Sequence, residues 1–233
     1  MRAGHLLALL ILFFPVAGGA QDIDAGISAY NGGDYERALN EFRPLAGQGD
    51  PTAQALLGKM YYFGKGVQKD FGKAADLFLS AAQQGNPEAQ FFLGNIHENG
   101  TGVPKNDAEA VRWYLSSAEQ GHPRGMALLG RMYSRGSGVP QDYALAARLY
   151  RAAAELGDRE GMLMLGISYL VGNGVPQDRV LAHMWLNLAA ADGNDYAVEG
   201  RELAARLMSR EDISEAQKLA RSCLASYYKN CGW

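Results

Sequence analysis

The chain has 233 residues, with 22 basic and 25 acidic side chains, a net charge of −3 and two cysteines. This balance supplies no basic face for nucleic acid and no cationic patch for an anionic membrane surface. Two lone cysteines do not make a metal site.

Residues 1–20 read as a unit of their own. Arg2 forms a short positive region, Leu6 to Val16 an apolar run, and Gly18-Gly19-Ala20 a small-residue cleavage site before Gln21-Asp22. That order is a secretory signal peptide. A retained anchor needs ~20 apolar residues, and the run is shorter. No cysteine follows the cleavage site, so a lipoprotein anchor is not indicated, and no later apolar run can span a bilayer. The expected location is the periplasm, with secretion as the alternative.

Residues 21–49 read as a shortened opening hairpin, AYNGGDYERAL marking its turn, with Ala38, Ala46 and Gly49 in the columns of the blocks that follow. From residue 50 the chain repeats without a gap, in the blocks 50–85, 86–121, 122–157 and 158–193. One column holds Leu57, Leu93, Leu129 and Leu165, and the next holds Gly58, Gly94, Gly130 and Gly166. The glycine pair Gly64/Gly66 recurs as Gly100/Gly102, Gly136/Gly138 and Gly172/Gly174, each followed by Val, and every block closes on Gly. Such internal periodicity marks a repeat protein.

Each block predicts two helices. Asp50, Asn86 and Asp158 are N-caps, with Pro51, Pro87 and Pro123 at the first helical position. Asp70, Asn106, Asp142 and Asp178 cap the second helix. A glycine inside the first helix costs roughly 1 kcal/mol against Ala. Its presence in every block predicts a close approach to a neighbouring helix, with the Ala columns (Ala74, Ala82 and equivalents) as expected partners. Gly94→Leu or Gly130→Leu should therefore be costly, unlike a change at Glu98. One hairpin cannot bury its apolar face alone, so the blocks must stack into an α/α solenoid.

The pattern A-x-x-x-L-G-x-x-Y-x-x-G-x-G-V-x-x-D-x-x-x-A, then A-x-x-G, resembles the Sel-one-like repeat family, relatives of the tetratricopeptide repeats, over residues 50–193. The resemblance implies an all-α, right-handed α/α solenoid of helix-turn-helix repeats. It also implies a scaffold that binds a protein or peptide, with the first helices lining a concave face.

Residues 194–233 read as a closing cap. Glu202 replaces the expected glycine, Ser209 to Asp212 start a capping box, and Ile213, Ala216, Ala220, Cys223 and Tyr227 form one apolar stripe. Cys223 and Cys231 both lie here. An even count in an exported chain invites a disulfide, with two free thiols or an intermolecular link as alternatives. A continuous helix would hold the two ~12 Å apart, so bridging requires the helix to end near Asn230.

Catalytic patterns are missing: no H-E-x-x-H, no clustered carboxylates at ligand spacing, no G-x-S-x-G. His97 takes a column of Tyr61, Tyr133 and Tyr169; His122 starts a helix; His183 is isolated in sequence. The G-x-G-V connectors follow a helix rather than a strand, which makes them structural and not a phosphate loop. Trp113 and Trp185 share a column with Leu77 and Leu149 and are expected in the core; Trp233 fits no column. What remains is a variable stripe along the first helices, from which Lys59, Tyr62, Phe91, Asn95, Glu98 and Arg131 are the candidate partner-binding residues. A stripe of this kind fits a partner-specific groove and equally fits neutral solvent-facing positions. The expectation is a monomeric, non-catalytic protein- or peptide-binding scaffold with no cofactor, no metal and no nucleic-acid partner. An envelope enzyme with a dispersed site and a purely structural envelope component are the alternatives.

Overall fold

The computed structural model describes residues 22–229 and 231. The leader, its cleavage site and Trp233 lie outside them. Among the described residues there are twelve α-helices and no strand: α1 (Ile23–Asn31), α2 (Tyr35–Gly47), α3 (Pro51–Phe63), α4 (Phe71–Gln83), α5 (Pro87–Asn99), α6 (Asp107–Glu119), α7 (Pro123–Arg135), α8 (Tyr143–Glu155), α9 (Arg159–Val171), α10 (Arg179–Ala189), α11 (Asp195–Arg206) and α12 (Arg210–Ala225), with a 3-10 turn at Ala190–Asp192. None is long and apolar enough to cross a membrane.

The caps set the boundaries. Asp50, Asn86 and Asp158 accept the backbone N–H of Ala53, Ala89 and Gly161, and the second-helix caps at 70, 106, 142 and 178 do the same three residues on. Each first helix ends at a left-handed glycine (64, 100, 136, 172), a conformation open to Gly at little cost. Each hairpin packs on the next, and α5 also meets α7, α7 meets α9, and α9 meets α11, so the first helices crowd together on the inner side of the curve. The result is an all-α helical repeat solenoid.

The helix glycines do make a close approach, but the nearest partner is not in the Ala columns, of which only the Ala146 carbonyl comes close, 3.2 Å from a Cβ on Gly130. A Cβ on Gly58 would lie 2.9 Å from the Phe78 ring, on Gly94 2.4 Å from Tyr114, on Gly130 2.7 Å from Tyr150, and on Gly166 2.7 Å from Leu186. The partner is the large buried residue twenty positions on, on the same hairpin's second helix. In the opening hairpin Gly26 stands against Phe42 in the same way. Small meets large, which fills the space between helices to interior density. The second connector glycine serves the stack instead: a Cβ on Gly174 would meet the carbonyl of Tyr143, and one on Gly138 that of Asp107, at the start of the preceding repeat's second helix.

At the C-terminal end α12 packs against α10, after a capping box in which Ser209 and Asp212 satisfy each other's backbone N–H. Cys223 and Cys231 form a disulfide, both buried, with Cα atoms 4.6 Å apart. Two details differ from the sequence reading. The helix stops at Ala225, well before residue 230, because Tyr227 and Tyr228 take left-handed backbone. That reversal throws Tyr227 out of the apolar stripe, 83% exposed, and lays Tyr228 on the core beside Gly157. Trp185 is fully buried, whereas Trp113 is only half-buried at the edge of its cluster.

Because the bridge closes a short loop (sequence separation 8), replacing both cysteines with Ser should lower stability by ~2 kcal/mol, chiefly through the unfolded chain. Urea unfolding of the oxidised and reduced protein, followed by far-UV circular dichroism, checks this. Coincident midpoints would show that α12 docks without the bond.

Candidate functional site

Across the first helices α3, α5, α7 and α9, reached by α3 through Lys59 alone, runs an open groove of about 790 Å³. Its floor is apolar, from Phe91, Ala127 and Leu128, with Leu156 as one wall. Charged groups rim it, including Lys59, Glu88, Arg124, Arg131, Arg159 and Glu160. Its volume lies in the range of ordinary ligand sites, and its apolar floor with a few placed polar groups is the usual make-up of one.

The six residues singled out by sequence divide between two places. Lys59, Phe91 and Arg131 line the groove. Tyr62, Asn95 and Glu98 lie in a ladder of contacts nearer the C-terminal ends of the same helices. None of the six is a neutral solvent-facing position. Phe91 is 8% exposed and belongs to the core. Lys59 donates to Glu88 at 2.8 Å, Tyr62 to Asn95 at 2.9 Å, and Arg131 to both Glu98 oxygens at 2.9 Å. Arg131 also stands 3.8 Å from Glu160. These bonds join the first helix of one repeat to the first helix of the next, spanning 29 or 33 residues.

Glu98 is the densest node. Besides Arg131 it accepts the hydroxyl of the fully buried Tyr114 at 2.8 Å. Burial, with the Glu98 charge beside it, pushes the Tyr114 phenol well above its usual value, so it stays a donor. Burial likewise pushes Tyr150 up to about 12 and raises Tyr62. A change at Glu98 is therefore not the structurally cheap one that the contrast with Gly94 suggested.

Sequence reasoning missed Leu156, Arg159 and the role of His122 in this groove. His122 caps α7, its Nδ1 accepting the N–H of Gly125 at 3.2 Å. Only an unprotonated Nδ1 can accept, and burial, aided by the Arg124 charge, lowers its pKa against the opposing pull of Glu88 and Asp158. Burial, with Arg201 nearby, lowers His183 as well. Each histidine binds its proton less readily in the folded chain. The stability each contributes is complete above the unfolded value of 6.5 and is lost as pH falls from there towards the folded value. Thermal melts from pH 7.5 to 5.5 should show a falling midpoint. His122→Asn, the residue at the equivalent position 86, should fall less steeply; parallel curves would overturn the assignment.

Among the described residues no three His, Cys, Asp or Glu side chains converge as a metal set. The geometry offers apolar burial, fixed charges and hydrogen-bonding groups.

A family model, the Sel1 repeat, matches residues 51–86, 87–122, 123–158 and 159–194, the same period as the sequence blocks with the boundary moved by one residue. A Sel1 repeat protein from Oxalobacter formigenes is 32% identical, with 91% of this chain and 93% of that one covered and a TM-score of 0.65. A sel1 repeat protein from Klebsiella pneumoniae subsp. pneumoniae, at 22% identity over 77% of this chain and 89% of its own, shares the fold with a TM-score of 0.53. Among curated proteins none matches the chain. With four repeat matches in register and a relative aligned over nearly its whole length, the chain belongs to the Sel1 repeat family.

Proposed function

We propose that the chain is an exported scaffold that holds a protein or peptide partner in the groove along its first helices and performs no chemistry on it. The observation that carries this reading is the groove itself: a preformed channel with an apolar floor, whose rim charges are held in place by bonds between repeats. A rigid groove loses little conformational entropy when it binds, so modest contact area can give useful affinity. Export is supported by the leader pattern of residues 1–20 and by the Cys223–Cys231 bond, which suits an oxidising compartment.

A second reading, a component of an envelope assembly, is favoured by the outer face of α11, where Tyr196, Leu203 and Leu207 are exposed along one side. Crosslinking capture from intact envelopes separates the two. Leu156→Glu, in the groove, should lose the wild-type partners, while Leu115→Glu, an exposed leucine on α6, should keep them. Loss in Leu203→Glu alone would move the interface to the end of the solenoid and reject the groove.

A further inference from the structure

The groove's rim follows a rule that one rung breaks. The ninth residue after each block's opening position meets the second residue after the opening of the next block. This gives Lys59 with Glu88 and Arg131 with Glu160, a cation facing a carboxylate each time. The middle rung would pair Asn95 with Arg124, an amide with a cation. The Asn95 oxygen is already taken by the Tyr62 hydroxyl, and Arg124 is exposed and forms no ion pair or hydrogen bond among the described residues. The remaining carboxylates nearby are engaged as well, Asp158 capping α9. So the groove presents one guanidinium that the chain's own ladder leaves uncompensated.

The third block departs from the two before it at two further places in the same groove. Where Gln84 and Gln120 reach back to Gln54 and Gln90, the third block has Leu156 opposite Met126. The amide pair is gone, and Leu156 stands 54% exposed against the groove. Where blocks open on Asp or Asn, the third opens on His122, removing a potential acidic cap next to Arg124. All three departures act in one direction. They add a free positive charge, subtract negative charge, and open an apolar wall within one groove.

Resting on the groove reading above, we infer that the partner segment is acidic and apolar together: a side-chain carboxylate seated on Arg124, with a large apolar side chain one or two residues away against Leu156. A guanidinium with all its donors free can take a carboxylate in two parallel bonds, the strongest hydrogen-bonded contact a surface of this kind offers. The adjacent apolar wall gives the burial that an exposed ion pair alone lacks.

Selection of a phage-displayed random octapeptide library on the immobilised full chain tests this, because peptides fused to the coat protein carry no free C-terminal carboxylate. Enriched sequences should place Asp or Glu within two residues of Leu, Ile, Phe or Met. A synthetic peptide of that kind should bind Arg124→Glu roughly tenfold more weakly than wild type, with Arg124→Lys, which keeps the charge and loses the fork, falling between the two. Arg124 forms no ion pair or hydrogen bond among the described residues, so both variants should melt with the wild type at pH 7.5, above the range in which its charge acts on His122; Leu156→Ala, weakening the same peptide, provides a second handle. Enriched peptides without an acidic residue, or equal binding to Arg124→Glu, would overturn the inference and leave the groove standing. No enrichment on the wild type would overturn the inference and the peptide-groove reading with it.

Discussion

Gly94→Leu should destabilise the protein by about 4 kcal/mol and lower its melting temperature by about 10 °C. A Cβ at this position would lie 2.4 and 2.5 Å from two ring carbons of Tyr114. That ring cannot swing aside. It is fully buried, flanked by Phe91, and tethered through its hydroxyl to Glu98. Ala at 94 already forces a shift, at about 2 kcal/mol, and Leu adds three more carbons to the same space. The contrast is Gly72→Ala on α4. There a Cβ would touch only the Asp70 carboxylate at 3.5 Å, the site is exposed, and φ is ordinary. Losing glycine's excess freedom should stabilise by about 0.5 kcal/mol. The same residue type thus gives effects of opposite sign at two helical positions. Because repeats couple to their neighbours, near- and far-UV signals should be followed together. A Gly94→Leu protein melting with the wild type would refute the small-against-large packing of each hairpin.

The fold was open to sequence reading because its determinants recur. Caps, connector glycines and the Leu-Gly pair each appear four times, so one chain displays its own pattern. The helix glycines were visible in the same way, but their partner was misassigned. Phe78, Tyr114, Tyr150 and Leu186 are of three residue types and share only bulk and burial. A search for an invariant partner settled on Ala74 and Ala82, which pack nearby but do not fill that space.

The groove was harder to read for a related reason. Its columns look variable one at a time: Lys59, Asn95, Arg131 and Ile167 share one, and Thr52, Glu88, Arg124 and Glu160 another. The order lies between columns of successive repeats, at separations of 29 and 33, where Lys59 meets Glu88 and Glu98 meets Arg131. Variation that preserves charge complementarity across two blocks is what a ladder produces. That signal was present in the sequence. The exposure of Leu156 was not, because it depends on how far the turn after α8 opens towards α9, which periodicity does not specify.

The ladder's worth can be measured at its densest node. Glu98→Ala should cost about 3 kcal/mol in urea unfolding. Two groups lose their acceptor: the hydroxyl of the fully buried Tyr114 and the Arg131 guanidinium, one-fifth exposed. An orphaned buried hydroxyl alone costs about 1–3 kcal/mol. The Arg131 share is smaller than for a fully buried pair, since solvent reaches it and Glu160 remains 3.8 Å away. Glu98→Gln keeps an oxygen for Tyr114 and removes the charge, so it should fall between, at about 1.5 kcal/mol. A double-mutant cycle with Arg131→Ala isolates the pair itself, with an expected coupling of about 1 kcal/mol. The consequence reaches the groove, because Arg131 is one of its walls and Glu98 fixes where that wall stands. If Glu98→Ala unfolds like the wild type, the ladder contributes nothing to the stack. The curve of the solenoid would then rest on its apolar columns alone, and the rim charges would be free to follow a partner instead of waiting in place for one.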